Sequence, residues 1–70
     1  MFRQPVSSSN LRAVGYDISR QILEVEFHSG GVYQYFGVPA SVHRGLIAAG
    51  SKGRYLHVFI RDAYPYQKVG

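Results

Sequence analysis

Between residues 23 and 28 the side chains alternate without a break: Leu23, Val25 and Phe27 are apolar, and Glu24, Glu26 and His28 are polar. Successive side chains of a strand point to opposite faces, so this is the period of a strand buried on one side only. Ser29-Gly30-Gly31 comes next, and glycine tolerates the positive φ that a tight hairpin turn requires. Val32-Tyr33-Gln34-Tyr35-Phe36 is β-branched and aromatic, so it should return antiparallel to the strand before it. Upstream, Leu11 to Tyr16 sets Val14 and Tyr16 on one face of a further extended segment, and Asp17 to Arg20 supply a polar connection. Three strands make a meander, and its apolar face has to be covered by the C-terminal half of the chain.

Two short helices are expected to cover it. Gly37-Val38-Pro39 ends the third strand, because proline fixes φ, lacks an N–H and sits well at the first turn of a helix. Val42, Leu46 and Ala49 are then spaced by four and three, with Ile47 beside them, and Gly50 offers a left-handed closing residue. Ser51 has the chemistry of an N-cap for a second helix, on which Tyr55 and Phe59 form one i,i+4 pair and Leu56 and Ile60 another. A strand over Arg54 to Ile60 is the alternative, since Tyr, Val, Phe and Ile favour sheets and Gly53 weakens a helix. The expected fold is α+β, a three-stranded antiparallel meander followed by two short helices packed on one face (β-β-β-α-α).

The ends read differently. Residues 1–10 finish in Ser7-Ser8-Ser9-Asn10, whose side chains compete for backbone hydrogen bonds, and suggest a flexible lead-in. Residues 65–70 read as a frayed tail beyond Pro65, with Tyr64 and Tyr66 anchoring its start. One domain over 11–64 is the result, and a chain of 70 residues buries only about 60% of its unfolded surface. Six Tyr and four Phe give that small core its bulk, and the absence of Cys removes disulfides and thiolate zinc ligands from consideration. The first residues lack the apolar stretch of a secretory signal and no run approaches a bilayer's width, so a cytoplasmic protein away from membranes is expected.

Eight Lys and Arg against four Asp and Glu leave a net charge of +4, a balance that suits nucleic acid and also simply keeps a small domain soluble. Tyr33 and Tyr35 lie two apart on a strand and share a face, the arrangement by which sheet-based RNA-binding domains stack successive bases. The same arrangement is also ordinary core. On the second helix Arg54, His57 and Arg61 recur at spacings of three and four, opposite a Tyr55, Leu56, Phe59 and Ile60 face, and Lys52 adds charge at its start. Ser51 and Gly53 stand where a helix N-terminus could receive an anion, though a plain cap explains Ser51 equally well. His28, His43 and His57 are 15 and 14 residues apart, which is not the close spacing of zinc ligands on one helix, and no serine sits in a nucleophile elbow. Neither a metal, a cofactor nor a catalytic centre is expected. Glu24 and Glu26 share the polar face of their strand, where solvent or an arginine of a neighbouring strand should meet them.

The order of these features resembles the KTSC domain family. The resemblance rests on Val6-Ser7-Ser8 with Val14-Gly15-Tyr16-Asp17, on Leu23-Glu24-Val25-Glu26-Phe27 leading to Gly31-Val32-Tyr33-Gln34-Tyr35, on Val38-Pro39, and on Ala49-Gly50-Ser51-Lys52-Gly53 with Ile60-Arg61. Members resemble a small bacterial module, free-standing or joined to the C-terminus of some lysyl-tRNA synthetases. That association implies RNA or tRNA as a partner, and no catalytic residue carries over. The expected function is therefore a small non-catalytic binding module that meets nucleic acid through a basic helix face. The competing expectation is a protein-interaction module using an exposed strand edge or Ala63-Tyr64-Pro65-Tyr66, and a monomer is favoured in either case.

Overall fold

The computed structural model describes residues 1–70. Strands β1 (Gln4–Pro5), β2 (Leu11–Asp17), β3 (Ile22–Phe27) and β4 (Val32–Phe36) are followed by helix α1 (Ala40–Ala48), helix α2 (Lys52–Tyr55) and strand β5 (Tyr66–Lys68). Leu56–Ile60 prolongs α2 as a π-helical turn. The α+β class stands, but the sheet has five strands rather than three, in the order β1-β2-β3-β4-β5 and antiparallel throughout.

The two added strands lie in the segments read as a flexible lead-in and a frayed tail. Residues 1–10 reverse direction because Ser8 Oγ accepts the N–H groups of Asn10 and Leu11, each at 3.2 Å. That turn lays Gln4 and Pro5 beside Val14 and Ala13. Proline is tolerated on an edge strand, where one side of the backbone needs no partner. At the other end Pro65, read as a breaker, contributes what proline retains: its carbonyl accepts the Phe36 N–H at 2.9 Å. Tyr66, Gln67 and Lys68 then pair with Tyr35, Gln34 and Tyr33.

One sheet face carries the core. Val14 lies opposite Val25, while Tyr16 and Tyr35 flank Leu23, and all of these rows point toward the helices. Arg12 is an extra residue in the ladder between Leu11 and Ala13, and this bulge returns Leu11 to the core face, where it is fully buried. Leu46 of α1 and Leu56 and Ile60 of the second helix close the cluster from above. Tyr16 joins β2 to the start of α1, its hydroxyl donating to the Val38 carbonyl and its ring stacking on His43 at 4.6 Å.

The opposite face is a charged network. Arg3 pairs with Glu24 and, at 3.4 Å, with Glu26, whose other oxygen lies 3.7 Å from Arg12. Gln34 donates to Glu24 from the neighbouring strand at 2.8 Å. Glu24 is buried although no helix covers it, because the N-terminal segment lies over this face; a Cβ on Gly15 would stand 2.5 Å from the Phe2 carbonyl oxygen.

Two local expectations need correction. α1 does not close on a left-handed Gly50: its last cap is Ala49 in extended geometry, and the positive-φ glycines are Gly30 and Gly37. The Lys52 ammonium reaches back to the Ala49 carbonyl at 3.2 Å, so a cation serves the end of α1 where a glycine was expected. Residues 54–60 are helical, which removes the strand alternative, but their faces are not those of an α-helix. The Arg61 N–H bonds the Leu56 carbonyl five residues back. Leu56 and Ile60 are both buried, as their i,i+4 spacing led one to expect, but in the widened turn Phe59, expected on the core face, is 56% exposed.

Gly45 lies inside α1, where alanine ordinarily stabilises a helix by about 1 kcal/mol. Here a Cβ would collide with the Tyr55 hydroxyl oxygen and stand 2.7 Å from Cζ, so the ring must move. Overpacking costs about 1–3 kcal/mol and outweighs the propensity gain. Gly45→Ala should therefore lower the urea midpoint; a raised midpoint would show that Tyr55 does not pack there.

Glu24 yields a second expectation. Burial pushes its carboxyl up, but the Gln34 amide, Arg3 and the N-terminal ammonium outweigh burial and hold it below its ordinary value of 4.5. A depressed carboxyl contributes stability above its unfolded pKa and loses it as pH falls through the folded one. Arg3→Ala should destabilise the domain at neutral pH and flatten its stability profile below about pH 4.5. Urea unfolding across pH 2–7 reads both effects, and parallel profiles for the two proteins would contradict the assignment.

Candidate nucleic-acid interface

A cleft of about 970 Å³ runs between the sheet and the second helix. Its floor is aromatic because β4 sends Tyr33 and Tyr35 to the helix face, β3 sends Phe27 there, and β5 adds Tyr66 alongside. These rings form a connected set: Phe27 meets Tyr33 edge-on at 5.7 Å, and Tyr66 lies 5.9 Å from Tyr33 and 5.8 Å from Tyr35. The two tyrosines singled out from the sequence differ in burial, and Tyr33 also packs against the core cluster. Tyr35 is core, with 4% of its surface exposed, while Tyr33 is half-buried and lines the cleft.

The helical wall carries Arg54, His57 and Arg61. The π turn stacks His57 over Arg61, and Arg61 Nη1 lies 3.1 Å from His57 Nδ1. Guanidinium nitrogens only donate, so that ring nitrogen is the acceptor. Lys52 is not in this group, being turned away onto the Ala49 carbonyl, and Arg20 and Arg44 do not line the cleft either. Ser51 and Gly53 stand at its rim. Ser51 caps the helix, its Oγ accepting the Arg54 N–H at 3.4 Å. Gly53 is pressed by Asn10, whose side-chain amide leaves no room for a Cβ there.

The far wall comes from residues that were not among the candidate binding residues. Ser9 and Asn10 of the β1–β2 loop and His28 of the β3–β4 turn border the cleft, tied together because the His28 N–H donates to the Asn10 carbonyl at 3.0 Å and the His28 ring bonds the Ser8 carbonyl at 2.9 Å. Tyr66, expected to anchor the start of a frayed tail, instead lines the cleft from β5. No acidic side chain lines the cleft. The three histidines are dispersed among separate contacts, and no group of three or more His, Cys, Asp or Glu comes together elsewhere. No helix is long and apolar enough to cross a membrane.

Burial pushes the Tyr35 phenol above its ordinary value of 10.0, Tyr33 and Tyr66 add to the shift, and Arg61 opposes it. Stability from a raised phenol is complete below the unfolded pKa and is lost as pH rises through the folded one. Unfolding measured from pH 8 to 12 should show a steeper alkaline decline for the native protein than for Tyr35→Phe. An unchanged slope would mean that Tyr35 ionises without resistance.

Five antiparallel strands in sequence order with a helix pair on one face define a small α+β meander domain. The chain belongs to the KTSC domain family, whose match covers residues 7–64. It is similar over 99% of its length to a crystal structure of a KTSC domain protein from Yersinia pestis, with 42% identity and a TM-score of 0.95; the match spans 97% of that chain. An uncharacterized protein of Stutzerimonas stutzeri is 46% identical over 70 residues, covering 99% of both chains. A lysine–tRNA ligase of Nostoc sp. is 41% identical over 61 residues, which are 87% of this chain and 11% of that enzyme. The family's domain thus occurs both as nearly a whole chain and as a small part of a larger one.

Proposed function

We propose that this domain is a non-catalytic module that binds RNA in the cleft between the sheet and the second helix. The observation that carries this reading is an aromatic floor flanked by two guanidinium groups with no carboxylate in the lining. Such a surface suits a polyanion made of flat rings, since bases stack on aromatic side chains and phosphates take arginine donors. Arg54 and Arg61 meet phosphates in this reading, His57 adds a ring donor beside them, and Tyr33 offers its face to a base. The lysine–tRNA ligases that contain a similar domain act alongside RNA, which favours RNA over DNA as the first ligand to test.

Titration with single-stranded RNA and with tRNA at low salt should give saturable binding that weakens steeply as salt rises. Arg54→Ala and Arg61→Ala should each reduce the slope of log K against log salt by roughly one, since each phosphate contact releases about one counterion. Tyr33→Leu should weaken binding by about 1–3 kcal/mol with little change in slope, because stacking releases no counterion. No saturable binding up to near-millimolar protein would overturn the proposal.

A second reading has its own support. The outer edge of β5 is unpaired and carries Tyr66, which is 58% exposed, so another chain could add a strand there. Capture of a protein partner that survives high salt and nuclease, and fails with proline in place of Lys68, whose N–H points away from β4, would favour it over RNA.

A further inference from the structure

Tyr33 lies between two sources of positive charge. On one side stand Arg54 and Arg61 on the helical wall. On the other is Lys68, which pairs with Tyr33 across the β4–β5 ladder and therefore leaves the sheet on the same face. The Lys68 side chain bends back over the sheet: its Cε lies 3.9 Å from where a Cβ on Gly31 would be, and the Tyr33 ring edge lies 3.1 Å from the same point. Lys68 and Tyr33 are thus neighbours above Gly31. Lys68 makes no salt bridge, and it is exposed.

We infer that a single nucleic-acid strand crosses the sheet at Tyr33, with one phosphate held by Arg54 and Arg61, the adjoining base stacked on Tyr33, and the next phosphate met by Lys68. The inference rests on the nucleic-acid reading above and adds the ligand's form and path. The form is set by the surfaces that each kind of nucleic acid can present. A base inside a duplex has both faces covered by its neighbours and shows only its edge in a groove, whereas an unpaired base offers a face to an aromatic ring. Tyr33 sits on the cleft floor, below the helical wall on one side and the Ser9–Asn10 loop and His28 turn on the other. The whole domain measures only 27 × 24 × 22 Å, so it cannot surround a duplex, whose paired bases would remain outside the cleft. The path is set by the placement of charge. A ligand with one phosphate would satisfy the helical wall alone; a continuous strand also reaches Lys68, which stands beside Tyr33 outside the cleft lining.

The test measures binding of a short single-stranded RNA, the same RNA annealed to its complement as a blunt duplex, and a mononucleotide 5′-phosphate, all at one low ionic strength. The single strand should bind at least about tenfold more tightly than the duplex, and Tyr33→Leu should remove most of that preference. Lys68→Ala should lower the salt slope for the single strand by roughly one and leave mononucleotide binding unchanged. Nucleobase protons of the bound strand should shift upfield in proton NMR through the Tyr33 ring current, a readout that does not depend on the Tyr33 variant folding. Equal or tighter duplex binding, or an unchanged salt slope in Lys68→Ala, overturns the inference; if that binding still depends on Arg54 and Arg61, the broader nucleic-acid reading survives. No binding of any of the three ligands overturns both.

Discussion

Leu56 and Ile60 both have to reach the apolar stripe formed by Leu23, Val25 and Tyr35, and the second helix is shaped by that demand. Burying such side chains is worth about 1.5–3 kcal/mol each, more than the roughly 0.5–1.5 kcal/mol net of a single backbone hydrogen bond. The helix therefore widens, taking the five-residue bond from Arg61 to Leu56, and its remaining side chains rotate accordingly. His57 and Arg61 turn to the cleft together, while Val58 and Phe59 turn away from the core. The exposed apolar ridge follows from this packing, while Arg54, His57 and Arg61 keep the shared face that their helical spacing gives them.

The same sheet solves a separate problem on its other face. Two glutamates side by side in β3 repel each other and would favour an open, hydrated surface. Arg3, Arg12 and Gln34 gather them into one network instead, and the N-terminal segment lies over it. An ion pair on an exposed surface adds little stability by itself. A carboxylate as buried as Glu24 needs its partners, because an unpaired charge removed from water is costly. The short strand β1 is thus tied in by the charge it neutralises as well as by its two ladder positions.

How much could be read from the sequence depends on the range of the interactions involved. β3 and β4 were legible because alternation and Gly30 are local signals that need no tertiary partner, and the cationic stripe Arg54, His57 and Arg61 was legible because helical spacing is local too. β1 and β5 were not. Strands of two and three residues have no period to recognise, and Pro5 and Pro65 suggest breakers unless a neighbour's free edge is known to be waiting. The displacement of Lys52 from the stripe depends on how the α1 terminus approaches it, and the widened turn depends on the sheet beneath. Tyr66 and Lys68 were obscured for the same reason as the strand that carries them. Tyr33 and Tyr35 could not be told apart by pattern, since they share a strand and a face; only position separates them, Tyr35 opposite Leu23 at the centre and Tyr33 opposite Val25 nearer the open end of the cleft.

Charge is sorted by this architecture as well as balanced. Arg3 and Arg12 cancel Glu24 and Glu26 on one face, and Asp17 is occupied in its own turn, where the Ser19 hydroxyl and the N–H groups of Ser19 and Arg20 bond its carboxylate. The net charge of +4 is then carried by the helix side and the margins of the sheet. A modest overall charge becomes a concentrated one when most carboxylates are committed elsewhere, and it is the local field at a concave surface that attracts an anion. The glutamates of β3 lie with Arg3 and Arg12 on the far face, and Arg54 and Arg61 have no acidic partner in the lining of the cleft.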